Sequence, residues 1–224
     1  MLMERGDRPG GNVASFVLFT PVLEKLIPEF RDDAPLERSI SDQAFAYLGP
    51  NDLVQLRFRF GRFIEERQAY TAYRSKFDYW LAEKAREAWA ELLTNVLVTD
   101  LLARSGRVAG IKIGDEELEA NMVVVADGIH NVVGRKAGLV VDDIRTYLLC
   151  NKEVPALPPE VIEKRLQIKQ GQIICYEMVC YPIDDVLGAV TIYTNTDSIS
   201  LAVFAWIDQL KEKGVDLHQR LEML

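Results

Sequence analysis

The stretch Val123-Val124-Val125-Ala126-Asp127-Gly128 limits most what this chain can fold into. Three consecutive valines cannot alternate between a wet and a dry face, so they predict a strand covered on both sides, as in parallel sheets. The run ends in an acid and a glycine, followed by Asn131 and a helical-looking Val132 to Ala137. A buried parallel strand that delivers its carboxyl end to a nucleotide, with a helix starting just beyond, has this layout. Asp127 brings hydrogen-bond acceptors to the strand end, and Gly128 permits a positive φ or a close backbone approach that a side chain would block. An ordinary α/β core contains the same pattern, so the rest of the chain must decide between the two.

With 224 residues, 49% of them hydrophobic and 27% charged, the chain can bury one large core or two small ones. Its formal net charge of −8, with no Lys/Arg cluster, speaks against a sequence-independent grip on nucleic acid, which needs clustered cations on phosphates. Cys150, Cys175 and Cys180 make an odd set without CxxC spacing. Neither a disulfide framework nor a zinc or iron–sulfur site is indicated, and reduced thiols in a cytoplasmic protein are expected. Cys175 and Cys180, an odd number of residues apart on one strand, should face opposite ways. No apolar stretch approaches the roughly 18–20 residues of a membrane span. The charged, glycine-rich Met1 to Gly11 does not read as a signal peptide. A soluble chain is expected, with peripheral contact at a membrane surface left open.

Along the chain, Met1 to Gly11 reads as the end of a strand and the loop after it. Phe16 to Phe30 has the apolar spacing of a short helix halted near Pro28. Leu53 to Phe60 alternates as a half-buried strand, and Arg62 to Arg67 as a loop or strand end. A capping box at Ser75 and Asp78 predicts a helix with the stripe Phe77, Trp80, Leu81, Ala85 and Ala88. From Asn95 onward, short alternating runs divided by Ser105-Gly106 and Gly114-Asp115 predict a β-meander that feeds the valine strand. After the prolines at 155, 158 and 159 come a short helix, Val161 to Leu166, and three strands, Ile173 to Tyr181, Leu187 to Thr194 and Ser198 to Ile207. These three read as an antiparallel sheet. Tyr193 and Trp206 suit either that core or a cavity lining, and the histidines, His130 and His218, lack neighbours for a metal site or a triad.

Several segments are similar in wording to one family. They are Glu4-Arg5-Gly6, Pro9-Gly10-Gly11-Asn12-Val13, Arg74-Ser75-Lys76-Phe77-Asp78-Tyr79-Trp80-Leu81, Ala126-Asp127-Gly128, Arg135-Lys136-Ala137-Gly138, and Leu157 to Glu163. Together with Tyr193-Thr194-Asn195 and Asp197 to Leu201 they resemble the FixC-like branch of the geranylgeranyl reductase and electron-transfer-flavoprotein:quinone oxidoreductase superfamily. The resemblance implies an α/β fold, α+β overall. A partial Rossmann-like FAD-binding domain with a β-meander (residues 1–30 and 66–140) would accompany an antiparallel-sheet substrate domain (31–65 and 141–224).

By resemblance, FAD is the cofactor. Glu4, with Arg5 beside it, matches the acid that accepts hydrogen bonds from the adenosine ribose. Asn12 matches the segment passing near the isoalloxazine ring. Arg74 matches an arginine expected by the phosphate–ribityl chain, where a planar fork of donors suits oxyanions. Val98 would offer backbone groups to the adenine, and Ala126, Asp127 and Gly128 would face the dinucleotide. No acid–base catalyst or metal ligand is implied, since the flavin carries the chemistry. Electron transfer from an electron-transfer flavoprotein toward a quinone is the implied role, with a ferredoxin-like subunit as a further partner. Reduction of isoprenoid double bonds and a flavin-free interaction module are the alternatives.

The chain also departs from the pattern. No GxGxxG precedes Glu4, Ser15-Phe16 stands where the pattern has Gly-Gly, and Ala88-Trp89-Ala90 stands where it has Ala-Gly-Ala. These departures predict an internal piece of a longer flavoprotein or a drifted relative. Weak FAD retention and a tendency to aggregate at an unpaired sheet edge are the expected consequences.

Overall fold

The computed structural model describes residues 1–11, 14–59, 61, 68–140, 143–169, 172–183 and 185–224. Its strands are β1 (Leu2–Met3), β2 (Ser15–Phe19), β3 (Leu36–Leu48), β4 (Leu53–Arg59), β5 (Ala69–Tyr73), β6 (Leu92–Leu93), β7 (Asp100–Arg104), β8 (Arg107–Ile113), β9 (Glu116–Glu119), β10 (Leu148–Glu153), β11 (Gln172–Cys180), β12 (Gly188–Thr194) and β13 (Ile199–Trp206). Its helices are α1 (Pro21–Leu26), α2 (Phe30–Asp33), α3 (Arg74–Glu87), α4 (Val132–Lys136), α5 (Pro159–Leu166), α6 (Ile207–Lys213) and α7 (Leu217–Leu221). They gather into two compact units, Met1–Gly11 with Asp78–Asp143, and Asn12–Phe77 with Ile144–Leu224. Residues 14–30 group with the second because β2 is laddered to β5, Ser15 opposite Tyr73 through Phe19 opposite Ala69.

In the first unit β1 pairs in parallel with β6, and β7, β8 and β9 form the antiparallel meander expected from the alternating runs. Both turns fall where the dipeptides placed them. Ser105 and Gly106 take φ of +51° and +76°, the left-handed pair that matches a tight hairpin to strand twist. Gly110 lets β9 come close, since a Cβ there would stand 2.0 Å from the Leu118 carbonyl oxygen. The valine run is the main correction. Val123 to Ala126 is not laddered to any strand among the described residues, and Val124 is 83% exposed. Val123 and Val125 are half-buried while Val124 and Ala126 face out, so the run has one sheltered side and not two. Three valines supply the propensity for a strand, but a partner must supply its hydrogen bonds.

The second unit is built on a mixed sheet with the path β10-β13-β12-β11-β3-β5-β2, with β4 paired on β3. The three strands expected from residue 173 onward form, each antiparallel to its neighbour in the order β11-β12-β13, and β11 also runs parallel to β3. Strand β3 was not legible in the sequence because Arg38, Ser39, Ser41, Asp42 and Gln43 interrupt any apolar alternation. In the fold, Asp42 is buried and accepts from Ser41, Arg57 and Arg59, and Arg38 is buried against Glu163 and the Thr196 carbonyl. Paired in this way, buried polar groups cost far less than bare ones. On the apolar side, Met178, Val190, Val203 and Ala205 of the sheet pack with Leu210, Leu217 and Leu221 of α6 and α7. Ile162 of α5 fills a second cluster with Ala44, Ile168 and Ile174. Each such fully buried aliphatic side chain contributes about 1.5–3 kcal/mol.

Local expectations are corrected in four places. Phe16 to Phe30 is a strand and two short helices, because pairing with β5 claims Ser15–Phe19 before Pro21 presets the first turn of α1. Strand β4 forms but is exposed along its whole length, with Leu53, Val54, Leu56 and Phe58 open to solvent. Helix α3 begins at Arg74, whose N–H donates to the Ala14 carbonyl at 2.7 Å, so a neighbouring segment satisfies that donor. Its buried stripe runs through Phe77 and Ala82, while Leu81 faces out. Trp89 finds no pocket. It is 96% exposed at φ +69°, in the position past the helix end that usually takes glycine. Phe60 and Arg62 to Arg67 lie outside the described residues.

Candidate nucleotide-binding site

Glu4 follows directly on the parallel pair β1–β6. Its N–H donates to the Leu93 carbonyl at 2.9 Å, and its own carbonyl accepts from Val96 N–H at 3.0 Å. The half-buried side chain is fixed by its own loop, with Oε1 accepting the Gly6 N–H at 2.6 Å. Its second oxygen has no partner among the described residues and is available to accept from hydroxyl groups. Gly6 suits this turn, since a Cβ there would crowd Glu4 Oε1 at 3.2 Å. Arg5, next in the chain, is exposed.

The chain segment held by Glu4 leads to Val98. Val96 N–H is tied to Glu4 and Thr99 N–H to the Lys112 carbonyl at 2.8 Å, but the Val98 N–H and carbonyl between them engage no backbone group among the described residues. Val98 is half-buried and outside any strand, so its backbone can bond an external partner edge-on.

Asp127 has a definite local task. Its Oδ2 accepts the Val133 N–H at 2.8 Å and so satisfies one of the unpaired donors at the start of α4. Asn131 and Gly128 take φ of +48° and +73°, which turns the chain sharply into that helix. Gly134 is fitted against the same turn, since a Cβ on it would lie 2.4 Å from Asn131 Oδ1. Lys136 at the end of α4 donates to the Thr99 carbonyl at 2.8 Å, which ties the helix to the residue after Val98. Glu4, Val98 and the Asp127-Gly128 turn thus belong to one hydrogen-bonded frame within the first unit. Ala126, Asp127 and Gly128 are exposed on it.

Arg74 belongs to the second unit. Its guanidinium lies 5.2 Å from the centre of the Phe16 ring, and Phe16 in turn meets Phe77 edge-on at 5.5 Å. The phenylalanine at position 16 is therefore a strand residue packed against Arg74 and Phe77. Asn12 lies outside the described residues.

A second polar cluster escaped the sequence reading. Lys152 of β10 donates to the Tyr193 hydroxyl and to the Ser15 carbonyl, and Tyr193 donates to that same carbonyl. The Ser15 and Ser200 hydroxyls are hydrogen-bonded to each other, as are those of Tyr73 and Ser198. The only sequence signal was the pair Ser198 and Ser200, two residues apart at the start of an otherwise apolar strand. Of the cysteines, Cys175 is buried and its thiol is pushed up to about 12 by that burial, with Glu177 adding to the shift. Cys150 and Cys180 are exposed, and all three are free. No cluster of potential metal ligands occurs among the described residues, and none of their helices is long and apolar enough to cross a membrane.

A parallel pair ending in an oriented acid, a meander, a capped helix and a mixed sheet make up a fold also seen in solved structures, among them CtdE in complex with FAD. A geranylgeranyl bacteriochlorophyll reductase-like protein from Thermoplasma acidophilum shares it with a TM-score of 0.74 at 18% identity, over 99% of this chain and 54% of that one. In sequence the chain is similar, over nearly its whole length, to FixC proteins. It is 32% identical to protein FixC of Salmonella typhi and 33% identical to the probable electron transfer flavoprotein-quinone oxidoreductase YdiS of Escherichia coli K12, in each case over 99% of this chain. It spans about half the length of these curated relatives, 53% and 52%. No protein-family model matches it.

Proposed function

We propose that the chain carries the adenosine-binding side of an FAD site and the substrate domain of an oxidoreductase that moves electrons from an electron-transfer flavoprotein toward a quinone. The observation that carries the reading is Glu4, held by Gly6 with one side-chain oxygen, whose backbone carbonyl ties down Val96 two residues before Val98, where the N–H and carbonyl engage no backbone group among the described residues. These donors and acceptors fit an adenosine. A carboxylate accepts from both ribose hydroxyls, and a free N–H and C=O match the edge of an adenine. Asp127 and Gly128 hold the turn at the start of α4, and for Arg74 it is the family resemblance alone that suggests a role toward the phosphate–ribityl chain, for which a planar guanidinium is suited. When bound, FAD supplies the chemistry, taking up electrons from a donor and releasing them to an acceptor. The protein groups named here bind and orient it. None is assigned a proton-transfer step. The FixC and YdiS similarities favour the electron-transfer role, and a ferredoxin-like subunit and a membrane surface are its further expected contacts.

Titrating the apo chain with FAD, followed by visible absorbance and flavin fluorescence, tests this directly. Saturable binding that Glu4→Gln weakens by about 10- to 100-fold is expected. Gln keeps the Gly6 bond through its carbonyl oxygen but loses the outer charged acceptor, which is worth about 1.5–3 kcal/mol. Absence of binding, or a Glu4→Gln variant that binds as well as the parent, would defeat the proposal. If a flavin-loaded sample reduces an isoprenoid substrate and not a quinone analogue, the electron-transfer role falls and the reductase alternative stands.

A further inference from the structure

Strands β2 and β10 are the two ends of the seven-strand path of the second unit, and no ladder joins them among the described residues. Side chains close the gap instead. The Ser15 carbonyl on β2 receives both Lys152 of β10 and Tyr193 of β12, and the Ser15 hydroxyl meets Ser200 of β13. Ser15, Tyr193 and Ser200 are buried, and the Lys152 ammonium also sits 4.6 Å from the centre of the Tyr193 ring.

Lys152 makes no ion pair among the described residues. A half-buried ammonium compensated only by a carbonyl, a phenol and an aromatic face has a desolvation cost that an unbranched apolar side chain of similar length avoids. Packing alone therefore does not call for a lysine here. The lysine does supply a directional donor at one place, the first residue of β2. The backbone there is gripped on two successive residues, with Ala14 accepting the Arg74 N–H and Ser15 accepting Lys152 and Tyr193. The next residue, Phe16, carries the ring against which the Arg74 guanidinium lies.

We propose that Lys152 and Tyr193 form a latch that positions the Ala14–Phe16 segment and, through it, Arg74. Both are positioning residues. The latch itself follows from the contacts above, while its effect on cofactor binding rests on the flavin reading of Arg74.

Amide hydrogen exchange by mass spectrometry on the 224-residue chain tests the first part, with Lys152→Met, Tyr193→Phe and the double variant. Each single variant leaves Ser15 one donor, whereas the double leaves a buried carbonyl with neither. Exchange over residues 14–19 should rise about threefold in each single variant and at least about tenfold in the double, with residues 100–113 of the meander unchanged as the internal control. Lys152→Met should melt within about 3 °C of the parent, because an apolar stem replaces a costly buried charge. Unchanged exchange over 14–19 in both single variants would overturn the latch, and so would uniform loss of protection across the chain. FAD affinity is then measured on the single variants. A drop of about fivefold or more supports positioning of Arg74, and an unchanged affinity overturns it. Should the parent chain bind no FAD, the flavin reading fails while the exchange result still decides the latch.

Discussion

Gly110→Ala gives the sharpest test of the first unit, because its effect follows from a single close approach. The new Cβ would stand 2.0 Å from the Leu118 carbonyl oxygen and 2.9 Å from Glu119 Cα, both backbone atoms that no rotamer change can move. Relief requires β9 to retreat by more than about 1 Å, which stretches the adjacent ladder bonds of strands normally about 4.8 Å apart beyond bonding range. Gly110 also has φ of +155°, a region left largely to glycine. Losing two ladder bonds at about 1 kcal/mol each and adding about 1–2 kcal/mol of backbone strain gives a destabilisation of about 3 kcal/mol. That is about a 150-fold change in the folding equilibrium. Urea unfolding followed by far-UV circular dichroism reads it. Gly106→Ala is the control, since Gly106 also has a positive φ but nothing lies within 4 Å of its would-be Cβ, so it should lose only about 1 kcal/mol. If the two variants lose equal stability, crowding at β9 is not what requires glycine at 110. The same variant should loosen Thr99, which is bonded to Lys112 two residues along β8, and with it the Val98 segment of the candidate site.

Trp89→Gly should stabilise the chain by roughly 0.5–1 kcal/mol and raise its solubility, because it relieves a left-handed tryptophan and removes an indole that is 96% exposed. A lower melting temperature would show that the indole has a contact worth more than its strain. Acid should weaken the second unit through Asp42. Burial of its carboxyl opposes ionisation, but hydrogen bonds from Ser41, Arg57 and Arg59 outweigh this and hold it below its usual range. A lowered folded-state pKa stabilises the fold above the unfolded value of about 3.9, and this contribution is lost as the pH falls through the folded-state value. Asp42→Asn should therefore flatten the stability profile between about pH 5 and pH 2, measured by urea midpoints, and a profile parallel to the parent's would contradict the assignment.

Much of the layout could be read in the sequence because it depends on local chemistry. Gly106 and Gly114 punctuate the meander, the short helix near the prolines starts at Pro159, two residues ahead of the expected Val161, and apolar runs mark the three strands after residue 172, all cases where backbone preference and periodicity act over a few residues. Asp127 could be named as a candidate for the same reason, since an acid after a short apolar run is a local signal, whereas Glu4 was named from the family resemblance. Tertiary structure decided the rest. Whether Val123 to Ala126 became a buried strand depended on a hydrogen-bonding partner, and valine propensity could not supply one. Whether Leu36–Leu48 became a strand depended on Arg57, Arg59 and Glu163 arriving to pair its buried charges. The grip on Ser15 by Lys152 and Tyr193 joins residues more than 130 positions apart in sequence, and only the curl of the sheet brings them together. Local preferences fix turns and periods, but the cost of burying a polar group is settled only when its partner is in place.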